Sequence, residues 1–219
     1  MNGRQIALEV LSDVICRHTF LDTALNKAAG SPYKAWVQAL CYGTCRDYYR
    51  LQRLSQTYLK KPLSAKDQDI AIILAMGLYQ LDCMQAKAFA VVNETAKLAK
   101  YRKKPWAAGL INAVLRRHCR EKQHHLSQWQ QDPVYQYAHP PELIQAIKKA
   151  WPQQAAQIFT ANQQQPPMTL RVNQLKMPRQ DYLDLLQQHN LGASPCRFSP
   201  VGLRLNQAVN ISELPQFNE

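Results

Sequence analysis

Ile70-Ala71-Ile72-Ile73-Leu74-Ala75-Met76-Gly77-Leu78-Tyr79 carries no charged residue and is apolar on every face of a helix. A helix of that kind has no side to show to water, so it belongs at the centre of a bundle with other helices around it. Just upstream, Ser64 and Asp67 resemble a capping box with Asp in place of the usual Glu or Gln, which predicts a helix start there. The fold therefore has to provide enough amphipathic helices on either side to cover this segment.

Those helices are legible. From Lys34 to Lys61, apolar or small residues fall at Val37, Leu40, Cys41, Thr44, Tyr48, Leu51, Leu54 and Tyr58, a spacing of threes and fours that predicts one long amphipathic helix ended by Pro62. Arg46, Arg50 and Arg53 recur at the same spacing, offset from that stripe, and are expected to form a basic ridge on its solvated face. Ala7, Val10, Leu11 and Val14 mark a helix near the start. Downstream, a helix from about Ala88 to Lys100 runs into Tyr101-Arg102-Lys103-Lys104. Pro105 then opens another, with Ile111, Val114, Leu115 and His118 inward and Asn112, Arg116 and Arg120 in one outward row.

The pattern changes after residue 126. Residues 127–141 read as a linker with a short helix around Leu126–Trp129 and prolines at 133, 140 and 141. Helical stretches at Glu142–Trp151 and Gln153–Asn162 follow. Met168, Leu170 and Val172 then alternate with polar residues, as a half-buried strand does. A helix from Arg179 to His189, closed by Leu191-Gly192, precedes a second alternating run at Val201–Leu205, with Ala193–Phe198 as its expected partner strand. The expected division is an all-α domain over 1–126, a linker over 127–141 and a small α+β domain over 142–219.

Charge follows this division. Residues 1–126 hold 20 Lys or Arg against 9 Asp or Glu, a net of +11, whereas 127–219 hold 7 against 6. A basic excess confined to the helical half is the footprint of a polyanion, most commonly nucleic acid, although solubility alone also favours charge. Two clusters concentrate it: Arg102, Lys103 and Lys104, and Arg116, Arg117 and Arg120.

Other classes of function find little support. The glycines are scattered singly, so no phosphate loop is present, and no nucleophile-and-base signature or paired carboxylates stand out. Six cysteines in a chain of 219 residues do not make a disulfide scaffold. Cys41 and Cys45 share a helical face, but no second close Cys/His pair completes a zinc site. His124 and His125 are adjacent and point about 100° apart on a helix. No catalytic and no metal residue is expected. The start has no apolar signal stretch and the longest apolar run is too short to cross a bilayer, so the reading is cytoplasmic.

Four motifs in order, Tyr42-Gly43-Thr44-Cys45-Arg46, Gly77-Leu78-Tyr79-Gln80-Leu81, Val92-Asn93-Glu94-Thr95 and Gly109-Leu110-Ile111-Asn112-Ala113-Val114-Leu115-Arg116, resemble the NusB-like helical domain. The second half resembles the segment that follows this domain in the Sun/Fmu family of bacterial 5-methylcytosine methyltransferases of small-subunit ribosomal RNA. Its markers are His139-Pro140, Thr169-Leu170-Arg171-Val172-Asn173, Pro200 with Leu203 and Leu205, and Ile211-Ser212-Glu213-Leu214-Pro215-Gln216-Phe217. The resemblance implies a mainly α fold, a NusB-like bundle followed by a small α+β domain, which recognises ribosomal RNA for a catalytic domain that binds S-adenosylmethionine. In that family the catalytic domain and its two cysteines follow the stretch matching Leu214–Phe217. None of the six cysteines here lies in a matching motif, and the expectation is an inactive N-terminal piece with no cofactor of its own. The alternative is a NusB-type antitermination factor, although such a factor ends after the helical domain. Related factors bind RNA through an arginine-rich N-terminus, where this chain has only Arg4, so the expected RNA contacts are Arg46, Arg50, Arg53, Arg102, Lys103, Lys104, Arg116, Arg117, Arg120 and Arg171.

Overall fold

A computed structural model describes residues 1–84 and 86–217. The chain divides between Gln163 and Gln164 into two compact units, so helices assigned in advance to a linker and to the second domain group with the first.

The first unit begins with α1 (Gly3–Arg17), whose start is fixed by a reciprocal capping box: the Asn2 side chain accepts from the Gln5 amide at 3.0 Å and the Gln5 side chain accepts from the Asn2 amide at 2.9 Å. After the short α2 (Leu21–Ala24) come α3 (Lys34–Arg46) and α4 (Tyr48–Tyr58). The single helix expected over Lys34–Lys61 is therefore two. At Asp47 the backbone leaves helical geometry (φ −95°, ψ 9°) and re-enters it at Tyr48. The apolar stripe continues in register through the break, from Thr44 to Tyr48 to Leu51, and spacing alone cannot sense it.

Helix α5 (Gln68–Cys83) is the expected centre, with Ile70 and Ile72 through Leu78 all buried. It packs against α1, α3, α4, α6 (Ala88–Tyr101) and α7 (Ala107–Gln130). Two glycines allow these close approaches. A Cβ on Gly43 would fall 1.9 Å from the Tyr79 ring, and one on Gly77 would fall 2.8 Å from Leu115 Cδ1. Before α5, Ser64 gives its hydroxyl to the Asp67 carboxylate rather than to a helix amide, and a 3-10 turn at Ala65–Asp67 leads in.

Helix α7 does not stop near Arg120. It continues to Gln130 because His118, His125 and Trp129 stay on its inward face and pack their rings on Tyr58 at centroid distances of 5.7, 6.1 and 5.9 Å. His118 is buried, donating from Nε2 to Asp82 at 2.9 Å while its Nδ1 takes the Tyr58 hydroxyl at 3.2 Å. Helix α8 (Pro133–Tyr137), capped by the Asp132 side chain, lies against α4, with the Tyr135 ring 5.6 Å from Trp129. Helices α9 (Pro141–Ala150) and α10 (Ala155–Gln163) close a small core of Ile144, Ile147, Ala155 and Phe159, with Tyr137 stacked on Phe159 at 4.3 Å. The expected linker is thus a folded part of the helical unit.

In the second unit β1 (Thr169–Arg171), β2 (Ala193–Pro195) and β3 (Gly202–Leu205) form an antiparallel sheet of order β1-β3-β2, with Leu170 opposite Leu203 and Ser194 opposite Arg204. Helix α11 (Arg179–Gln188) contributes Leu183 and Leu186 to a core shared with Val172, Leu203, Leu205 and Leu214. The helix ends one step earlier than expected, with Asn190 rather than Gly192 in the left-handed conformation (φ 59°) and the Leu191 amide bonded back to Leu186.

Candidate nucleic-acid interface

A cation grips a phosphate only if it is exposed and not already neutralised, so each expected RNA-binding residue is sorted by its partners. On the Arg46/Arg50/Arg53 ridge two of the three arginines are engaged with α8 or its cap. Arg50 reaches from α4 to α8, donating to the Tyr135 carbonyl at 2.7 Å and the Gln136 carbonyl at 3.2 Å while pairing with Asp47 at 2.6 Å. Arg53 pairs with Asp132, the cap of α8, at 2.7 Å. The ridge is the seat of α8, and of its three arginines Arg46 is the one with no carboxylate in ion-pair range among the described residues.

The turn after α6 divides similarly. Arg102 packs on α1, reaching Glu9 at 3.1 Å and Ser12 at 2.6 Å. Lys104 spans to the start of α5 and sits between Asp67 and Asp69 at 3.0 and 2.6 Å. Burial alone would lower the Lys104 ammonium, but the two carboxylates outweigh it and hold its pKa above the ordinary lysine range. Lys103, between them, adopts a left-handed backbone (φ 57°), and its side chain is exposed. This turn leads past the exposed Trp106 into α7.

On α7, Arg117 is engaged: it pairs with Glu121 at 2.6 Å and lies over the Tyr58 ring at 5.6 Å. Arg116 and Arg120, one turn apart, are exposed; Arg116 donates to the neutral Asn112 side chain at 3.1 Å and keeps its full charge available. Beneath them, Asp82 accepts from His118 at 2.9 Å and Lys122 at 2.7 Å. Burial would raise its carboxyl, and these bonds together hold it below the usual carboxylate range. Arg4 is docked as well, stacked over Trp36 at 5.4 Å and bonded to the buried Gln80 at 2.9 Å; burial pulls its pKa down.

In the second unit Arg171 is exposed on β1 and lines an open cavity of about 230 Å³ with Leu170, Val172, Asn173, Lys176, Met177, Tyr182, Gln216 and Phe217. The charge count drew attention away from Lys176 here, because this half is nearly neutral. The available signal was Asn173, whose carbonyl takes the Lys176 and Met177 amides, turning the chain so that residues 170–173 and 176–177 face one space. Among the described residues no group of three or more Cys, His, Asp or Glu can hold a metal ion, and no helix is long and apolar enough to cross a membrane.

This division of the basic residues sits in a recognisable frame. Residues 1–120 match the family model described as NusB family. The chain belongs to the NusB family. Residues 139–212 match a second model, the RsmF/B-like methyltransferase ferredoxin-like domain, so this family member carries both domain types in the expected order. Over its full length the chain is 40% identical to the probable ribosomal RNA small subunit methyltransferase B of Coxiella burnetii and 40% identical to the ribosomal RNA small subunit methyltransferase B of Pseudomonas putida, covering 50% and 51% of those proteins. It is 36% identical to the corresponding Yersinia enterocolitica protein, over 99% of this chain and 51% of that one. The chain thus spans about half the length of the curated relatives it matches. A solved structure, that of PH0851, superposes over 100% of this chain and 52% of its own with a TM-score of 0.63 at 11% identity, a likeness of fold alone.

Proposed function

We infer that the chain is the RNA-recognition part of an S-adenosylmethionine-dependent methyltransferase acting on cytosine C5 of small-subunit ribosomal RNA in the cytoplasm. The observation that carries this reading is the match of the whole chain, helical and ferredoxin-like units in the same order, to proteins named ribosomal RNA small subunit methyltransferase B. A NusB-type antitermination factor accounts for residues 1–120 and leaves the second unit without a purpose.

Within this reading the phosphate contacts belong to Lys103, Arg116 and Arg120, which of the expected contacts on the helical unit are exposed and, among the described residues, have no carboxylate in ion-pair range, with Arg171 on the second unit. Arg50, Arg53, Arg102, Lys104 and Arg117 hold the fold, each facing a carboxylate of its own. Among the described residues no strand runs through glycines into a helix N-terminus, so nothing here fits S-adenosylmethionine. That cofactor and methyl transfer belong to the part of the relatives that this chain does not span. The chain alone is accordingly a binder without transferase activity. The test is titration of the chain with small-subunit ribosomal RNA fragments at several salt concentrations. Binding whose affinity falls steeply with salt is expected, and affinity equal to that for an unrelated acidic polymer rejects the reading.

A further inference from the structure

The cavity beside β1 lies apart from the basic face of α7 in sequence and belongs wholly to the second unit. Its lining includes apolar Leu170, Val172 and Met177 and two aromatic residues, Tyr182 and Phe217. Among the described residues the cavity lining holds two cations, Arg171 and Lys176, and no carboxylate. That asymmetry selects an anionic ligand. The side-chain amides of Asn173 and Gln216 add neutral donors and acceptors to the same lining.

Two features give the walls a fixed form. The Tyr182 hydroxyl donates to the Pro215 carbonyl at 2.9 Å, tying the segment that carries Gln216 and Phe217 to α11. Gln216 itself holds a left-handed backbone (φ 54°), a conformation that disfavours a residue with a Cβ, and the following Phe217 keeps half its surface exposed. At about 230 Å³ this open cavity is smaller than the roughly 300–1,000 Å³ of sites for drug-sized ligands, a size suited to one flat heterocycle.

Flat apolar faces, amides able to read a base edge and cations for the adjoining phosphate are the chemistry by which proteins hold an unstacked nucleotide of single-stranded RNA. We propose that this cavity is a single-nucleotide site, in which one base of a single-stranded RNA segment enters between Tyr182 and Phe217 while Arg171 and Lys176 hold its phosphate. The proposal rests on the RNA-binding reading and adds to it a second point of attachment, in which contact with the base joins contact with the phosphate.

The methionine methyl groups separate the two. Of five methionines, Met177 lines the cavity, whereas Met76 and Met84 lie in the helical unit. In the methyl-labelled chain, a single-stranded RNA hexamer is expected to shift the Met177 resonance and leave Met76 unmoved, and cytidine 5′-monophosphate is expected to do the same more weakly. Arg171→Ala with Lys176→Ala should weaken the Met177 titration about tenfold without broadening the remaining methyl signals, which reports that the unit is still folded. Lys34→Ala, on α3 and outside the expected contacts, should leave the monophosphate titration unchanged. RNA that binds while Met177 stays still overturns the site and leaves the RNA-binding reading intact; absence of any RNA binding overturns both. Ribose 5-phosphate that moves Met177 as far as the full nucleotide does also overturns the proposal, since the base then contributes nothing.

Discussion

Arg50 decides between two uses of a basic ridge, and replacing it with alanine tests which is correct. The guanidinium makes three directed contacts: Tyr135 O at 2.7 Å, Gln136 O at 3.2 Å and Asp47 at 2.6 Å, with its plane also 5.7 Å from the Tyr135 ring. A hydrogen bond from a charged donor is worth about 1.5–3 kcal/mol, and the shorter carbonyl contact qualifies in full. The Gln136 bond is longer and exposed, and a partly exposed ion pair such as that with Asp47 adds under about 1 kcal/mol. Arg50→Ala should therefore cost about 2–3 kcal/mol, which for a urea slope of about 1–3 kcal/mol per molar moves the unfolding midpoint down by roughly 1 M. The loss is local in origin, so amide exchange in Pro133–Tyr137 should accelerate by about 30- to 100-fold while α5 keeps its protection. RNA affinity should change less than twofold. A variant that retains the parent midpoint and exchange pattern but loses RNA affinity and flattens its salt dependence would refute the clamp and return the ridge to the RNA.

The opposite result is expected on α7. Arg116→Ala with Arg120→Ala should reduce the slope of log affinity against log salt by about 1 to 1.5, at about 0.7 per phosphate contact to a single strand, with thermal stability held or slightly raised because alanine favours helix. Gly43→Ala should destabilise by about 2–4 kcal/mol, since its Cβ would overlap the Tyr79 ring. Gly109→Ala, with nothing within 4 Å, should stabilise by about 0.5–1 kcal/mol; chemical denaturation of both compares a close approach with simple backbone freedom. Asp82 is held below the ordinary carboxylate range in the fold, so its pairing stabilises above the unfolded value near 4 and is lost as pH falls through the lower folded value. Asp82→Asn should accordingly lower stability at neutral pH and make the acid limb of a stability profile shallower; an unchanged acid limb would contradict the coupling to His118 and Lys122.

The central helix, its covering helices and the alternating strands could be read from the sequence because each depends on a local period that burial enforces. Three features could not. The turn at Asp47 keeps the apolar stripe in phase, and so leaves no trace in the spacing. The extension of α7 was hidden by composition: Gln and His look like a linker, yet His118, His125 and Trp129 recur at sevens and fours and bury their rings on Tyr58. At the candidate interface, charge could be counted but pairing could not. Arg50 finds its acceptors 85 and 86 residues away and Lys104 its carboxylates 37 and 35 residues away, distances at which sequence neighbours say nothing.

The aromatic stack on Trp129 also determines where the chain can be divided. A cut after residue 120 or 126, at the edge of the family match or of the composition change, falls inside α7. It would strip Trp129, and with it Tyr135, from the stack on Tyr58 and leave Arg50 without the carbonyls it binds. The compact helical unit ends at Gln163, about forty residues beyond the edge of the family match, and a piece that keeps this aromatic cluster whole has to extend past Tyr135.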